Sequence, residues 1–190
     1  MPINLPILLT WARIVLIPLF VGVLYLPEHW LTIPEQNVVA TTIFIFAAMT
    51  DWFDGWLARK LDQTTAFGAF LDPVADKLMV AAALVVLVQL GRADAIAAFI
   101  IIGREITISA LREWMAKIGA AKNVAVSFIG KLKTTAQMVA IPMLLFNDAI
   151  GSLDMALIGR WLLSVAVILT LASMVYYIRM AWPDIVARSR

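Results

Sequence analysis

Residues 51–77 read DWFDGWLARKLDQTTAFGAFLDPVADK, an acidic, glycine-containing stretch set between two apolar runs. The run before it, NVVATTIFIFAAMT at 37–50, and the run after it, LMVAAALVVLVQL at 78–90, carry no charged residue. Four of its five aspartates fall into two pairs. Asp51 and Asp54 are spaced i, i+3, and Asp72 and Asp76 are spaced i, i+4. Each pair therefore shares one face of a helix. A turn between the two helices makes them antiparallel, so the two acidic faces meet at one end of the bundle.

Working outward, the same alternation of apolar run and short polar linker covers the chain. Six apolar stretches are expected as membrane spans, roughly Leu8–Leu26, Asn37–Ala58, Pro73–Leu90, Ala95–Trp114, Val124–Phe146 and Met155–Tyr177. A span takes about 20 residues. Composition agrees: 63% of the 190 residues are hydrophobic and 15% charged, and mean hydropathy is +0.92. Soluble domains average about 45–50% apolar and about 25% charged residues. The expected fold is thus an all-α integral membrane protein of one domain, residues 1–190, with a short amphipathic N-terminal segment before the first span. That first segment lacks a cationic start and a small-residue cleavage site, so it is expected to be retained. Pro18 and Pro142 lie inside spans and are expected to kink them; Pro73 is read as opening the third span.

Lys and Arg placement sets the orientation. Arg59 and Lys60, then Arg112, Lys117, Lys122, Lys131 and Lys133, then Arg179, Arg188 and Arg190 fall on one side; the opposite linkers are poor in positive charge, with Arg160 a mild exception. Both termini and the acidic stretch are therefore expected at the cytoplasmic face. The absence of cysteine excludes disulfides and thiolate metal sites. The single histidine, His29, makes zinc a poor fit. A net charge of +2 gives no reason to expect nucleic acid. Trp11, Trp30, Trp114, Trp161 and Trp182 fall near span ends, as an interfacial belt does.

Four carboxylates beside hydrocarbon need compensation, because each costs about 2.5–3.5 kcal/mol at mid-membrane. Protonation is one answer and divalent cations are the other. Hard cations such as Mg²⁺ take carboxylate oxygens and keep positions for phosphate. Two such ions about 3.5–4 Å apart can clamp an in-line displacement at phosphorus. The plainer alternative makes the aspartates interfacial caps and loop charges. Four at these spacings, with Gly55, Ala58 and Gly68 leaving room between them, favour the metal site.

The string Asp51-x-x-Asp54-Gly55-x-x-Ala58-Arg59, eight residues, Gly68-x-x-x-Asp72-x-x-x-Asp76 resembles in full the motif of the CDP-alcohol phosphotransferases. Within that family the chain looks most like the bacterial enzymes that use glycerol 3-phosphate. The supporting stretches are Asn4-Leu-Pro-Ile-Leu-Leu-Thr10-x-x-Arg13, Arg104-Glu105-Ile-Thr-Ile-Ser-Ala-Leu-Arg112-Glu-Trp and Gly130-Lys131-Leu-Lys133-Thr134-Thr-Ala-Gln. The resemblance implies that Asp51, Asp54, Asp72 and Asp76 hold two divalent cations, Mg²⁺ or Mn²⁺, and that Asp76 is also the general base. It implies that Gly55, Ala58, Arg59 and Gly68 line a cytidine diphosphate pocket. The implied substrates are CDP-diacylglycerol and sn-glycerol 3-phosphate, the products phosphatidylglycerophosphate and CMP. The implied setting is a homodimer among the lipids of the bacterial inner membrane, with its active site facing the cytoplasm.

A dianionic acceptor needs cations. Arg104 lies deep in the fourth stretch, where an arginine is functional or internally paired. Arg112, eight residues on, shares its face, and Lys131 and Lys133 open the fifth stretch from the same side. These four are the candidates for the acceptor phosphate, with general positive-inside charge as the alternative. Asn4, Thr10 and Arg13 are candidates for the donor diphosphate, with interfacial anchoring as the alternative. Two other functions remain open at this point: the same chemistry with serine or an inositol phosphate as acceptor, and an ion-coupled transporter. A transporter predicts acids at the bilayer midplane, whereas these cluster at a rim.

Overall fold

The computed structural model describes residues 5–60, 65–120 and 128–188, without the side chains of residues 5–6, 51–60, 66, 69 and 188. Six helices account for nearly all of it: α1 Leu5–Val23, α2 Ile33–Lys60, α3 Ala66–Gln89, α4 Ala95–Lys117, α5 Phe128–Phe146 and α6 Met155–Arg188. The all-α expectation holds, with one small addition. A two-residue antiparallel pair, β1 Ala149–Ile150 and β2 Leu153–Asp154, joins α5 to α6. Its turn opens on Gly151 at φ +62°, the left-handed region that glycine enters without a Cβ penalty.

The helices start where side chains can satisfy their first free N–H groups. Thr65 Oγ1 accepts from Gly68 N at 3.0 Å and starts α3. Asp94 Oδ1 accepts from Ile96 N at 2.8 Å and Ala97 N at 3.2 Å and starts α4. Asp154 Oδ1 accepts from Leu157 N at 2.9 Å and starts α6. At the start of α2 the geometry is reversed: Glu35 Oε2 reaches back to the backbone N–H and hydroxyl of Thr32, both at 2.8 Å. Those two bonds, the backbone one foremost, hold the Glu35 carboxyl below the usual carboxylate range.

The Thr65 cap corrects one expectation. Pro73 does not open the third helix; α3 begins at Ala66, and Pro73 is its eighth residue. Thr65 supplies the start signal about two turns before Pro73. Pro73 then leaves the carbonyl of Ala69 without its intrahelical donor. Helix α1 runs from Leu5, the first described residue, so the start of the expected N-terminal segment lies outside the described residues.

Cross-helix contacts fix the directions. Thr10 meets Asp72, Arg13 meets Asp76 and Tyr25 meets Gln89, in rising order on both helices, so α1 and α3 run in parallel. Arg104 meets Ser173 and Arg112 meets Tyr177, so α4 and α6 also run in parallel. The core lies between all six helices, built on Phe20, Phe44, Leu84, Leu87, Ile101, Ile141, Leu144 and, from α6, Leu163. Helices α5 and α6 make the most extensive helix pair. Gly159 permits it, since a Cβ there would sit 2.9 Å from Leu144 Cγ and 3.2 Å from its backbone N.

At the end of the bundle away from the acidic residues, Arg92 ties three elements together. It donates to the Leu145 carbonyl and to Asn37 Oδ1, each at 2.8 Å. This closes the free carbonyls at the end of α5. Of the helices, α6 alone among the described residues is long and apolar enough to cross a membrane by composition, over Met155–Ala187 at mean hydropathy 2.0. The others carry charge: Asp72, Asp76 and Lys77 on α3, Arg104, Glu105 and Arg112 on α4, Lys131 and Lys133 on α5. Of this set, Asp72, Asp76, Lys77, Glu105 and Lys133 gather at one place.

Candidate active site

That place is a cavity of about 420 Å³ enclosed by α1, α2, α3, α4 and α5. Asp72 and Asp76 line it from α3, Arg13 from α1, Glu105 from α4, and Lys133 and Gln137 from α5. The i, i+4 spacing of Asp72 and Asp76 does put both on one face, as expected. Gly68 lies one turn before Asp72, where a Cβ would stand 3.1 Å from the capping Thr65 Oγ1. Glycine here lets the cap close tightly and so fixes the start of the helix that carries both acids.

Helix α1 braces the acids. The Thr10 hydroxyl donates to Asp72 Oδ1 at 2.5 Å, and Arg13 Nη1 donates to Asp76 Oδ1 at 2.7 Å. Arg13 is almost wholly buried at 1% exposure, whereas the Asp76 side chain keeps 45% of its surface accessible. A buried guanidinium thus positions a carboxylate that a ligand can still reach. Thr10 and Arg13 enter the site through the acids, a role that their sequence positions did not specify. Asn4 lies outside the described residues. Asp51, Asp54, Gly55, Ala58 and Arg59 fall on α2, but their side chains are outside those described. Among the described residues no three carboxylates or imidazoles converge; Asp72 and Asp76 are the part of the quartet that is placed. Their oxygens suit a hard divalent cation.

The four acceptor candidates separate. Lys133 is buried, faces the cavity and pairs with Glu105. Arg104 lies behind it: Nη1 donates to Glu105 Oε1 at 3.2 Å, Nη2 to Ser173 Oγ at 3.2 Å, and the guanidinium stands 5.6 Å from the Tyr177 ring centre. Arg112 stacks on the same ring at 5.0 Å and donates to its hydroxyl at 3.0 Å. Neither arginine lines the cavity, and Lys131 is exposed on another face of α5. Helical spacing explains this, because Lys131 and Lys133, two residues apart, cannot share a face. The sequence reading of Glu105 as the partner of an arginine agrees with its pairing to Arg104, but Lys133 as its second partner was missed, as were Gln137, Lys77 and Thr134 as lining residues. One signal was available for Gln137: it stands i+4 from Lys133, in an otherwise apolar helix.

A second, apolar cavity of about 760 Å³ adjoins the first and shares Phe44, Ala48 and Met138 with it. It runs between α1, α2 and α5, lined by Leu9, Ile45, Phe46 and Met49.

A family model for CDP-alcohol phosphatidyltransferase matches residues 3–172. The chain belongs to the CDP-alcohol phosphatidyltransferase family. Relatives at 50% identity cover 97% of this chain and 98% of their own length. They include proteins of Escherichia coli strain K12, Salmonella typhimurium strain LT2 and Shigella flexneri serotype 5b, each named CDP-diacylglycerol–glycerol-3-phosphate 3-phosphatidyltransferase. The match to this family of phosphatidyltransferases spans all six helices, stopping within α6.

Proposed function

We propose that this chain transfers the phosphatidyl group of CDP-diacylglycerol to sn-glycerol 3-phosphate, releasing CMP. The observation that carries the proposal is the pairing of charge across one cavity, with Asp72 and Asp76 on the α3 wall and Lys133 on the α5 wall. Carboxylates suit the metal-bound diphosphate of the donor, and a buried ammonium suits the phosphate of the acceptor. The near-full-length relatives carry the name of the same reaction.

The residues assign the steps. The acceptor's primary hydroxyl, the least hindered, attacks the phosphatidyl phosphorus. Its O–P bond forms as the P–O bond of the diphosphate bridge breaks, and CMP leaves with the bridging oxygen. Asp76 takes the hydroxyl proton as general base, a role worth about 10²–10⁴-fold. Arg13 holds that carboxylate in place. Lys133, drawn from Glu105 towards a phosphate dianion, orients the acceptor, with Arg104 and Arg112 adding positive field from behind. The acyl chains lie along the adjoining apolar cavity. Asp51, Asp54, Asp72 and Asp76 would hold two divalent cations, Mg²⁺ or Mn²⁺, which would supply neutralisation of the diphosphate charge.

In this reading residues 1–190 form one membrane domain of six spans, a homodimer in the bacterial inner membrane with both termini and the cavity at the cytoplasmic face. Helices of 19–34 residues are 28–51 Å long at about 1.5 Å per residue, enough to span about 30 Å of hydrocarbon. The experiment is direct. Purified protein with CDP-diacylglycerol, Mg²⁺ and glycerol 3-phosphate is expected to release CMP, and chelation is expected to stop it. Equal release with serine, or none with glycerol 3-phosphate, overturns the assignment.

A further inference from the structure

Gln137 is 3% exposed and lines the cavity, yet its Oε1 finds no donor among the described residues. A buried carbonyl left without a partner destabilises the protein unless a ligand satisfies it. Of the residues lining the cavity, Phe44, Ala47, Val80 and Met138 offer no donor, and none of those that carry one, Arg13, Lys77, Lys133 and Thr134, gives it to Gln137 Oε1. The amide stands four residues beyond Lys133 on the same face of α5, about 6 Å further along the helix axis.

We propose that Gln137 is the specificity-determining residue that accepts a hydrogen bond from the central hydroxyl of the acceptor. This rests on the acceptor assignment above. A glycerol phosphate with its phosphate at Lys133 and its primary hydroxyl at Asp76 carries one further donor, the central hydroxyl, past the depth of Gln137. The amide Oε1 and that hydroxyl then satisfy each other inside the cavity. An alcohol phosphate lacking the hydroxyl leaves the amide unpartnered and is selected against.

The test compares two acceptors in the purified, detergent-solubilised enzyme. One is sn-glycerol 3-phosphate; the other is 3-hydroxypropyl phosphate, which keeps the phosphate and the terminal hydroxyl and lacks the central one. The wild-type enzyme is expected to favour glycerol 3-phosphate in kcat/KM by roughly ten- to a hundredfold. Gln137→Met, similar in length and without the acceptor oxygen, is expected to bring the ratio to within about threefold by losing activity on glycerol 3-phosphate alone. Because the two rates come from one preparation, the folded fraction cancels from their ratio. Equal use of both acceptors by the wild type overturns the proposal, and that measurement needs no variant. A wild-type ratio retained in Gln137→Met, or a loss falling on the KM for CDP-diacylglycerol, also overturns it. Failure of the underlying assignment looks different: the wild type then releases no CMP with either acceptor.

Discussion

At the scale of single residues, the site separates side chains that act on ligand from side chains that hold those in place. The proposed reaction puts Asp76 in the first group, and its accessibility while Arg13 anchors it supports that. Asp76→Asn keeps the volume and a hydrogen-bond acceptor for Arg13 but removes the base. CMP release is expected to fall by about 10²–10⁴-fold with the thermal midpoint little changed; turnover within tenfold of wild type would remove Asp76 from the base role. Lys133 and Glu105 need a paired test, because a buried ion pair is costly to break from one side. Lys133→Met alone leaves the Glu105 charge with only Arg104 beside it, and about 3–5 kcal/mol of stability is expected to be lost. Adding Glu105→Gln is expected to recover most of that stability and none of the acceptor affinity. A double variant with normal KM for glycerol 3-phosphate would make Lys133 purely structural.

At the scale of elements, packing is decided by where two backbones come close. Gly159 on α6 faces Leu144 on α5 with no room for a methyl group, and both a branched Cγ and a backbone N stand in the way. Gly159→Ala is therefore expected to destabilise the α5–α6 pair by about 1–3 kcal/mol, as overpacking does. A thermal melt or denaturant titration in detergent checks it, and an unchanged midpoint would mean that the two helices separate freely. The same scale shows what the sequence made legible. Every helix is visible as an apolar run, and the i, i+4 pair Asp72 and Asp76 does share a wall, because both facts follow from local periodicity. The start of α3 was misplaced because Thr65 and Gly68 form the cap before the apolar run begins. The separation of Lys131 from Lys133 follows from their spacing, but the sorting of Arg104 and Arg112 away from the cavity was not legible. It depends on where α6 puts Ser173 and Tyr177, contacts more than sixty residues away in sequence. Gln137 was hidden for a related reason: a lone amide in an apolar helix acquires meaning only from the walls that face it.

At the scale of the whole molecule, parallel α1 and α3, parallel α4 and α6, and the Arg92 clamp at the end opposite the cavity agree with helices that alternate in direction. Placed in a membrane, this puts the linkers before α2, before α4 and before α6 on one side. Positive charge then decides which side, since these linkers are poor in Lys and Arg and the others are rich. The chain has no cysteine, so a single introduced thiol reports its own location without background. His29, Ser152 and Lys117 are all exposed, the first two in the lysine-poor linkers and the third at the end of α4. In intact spheroplasts, a membrane-impermeant maleimide is expected to label His29→Cys and Ser152→Cys. It is expected to reach Lys117→Cys only after permeabilisation. The reverse pattern would turn the cavity away from the cytoplasm, where a soluble phosphorylated acceptor is held, and would break the link between this architecture and the proposed reaction. Labelling of all three from outside would instead overturn the alternation of the helices.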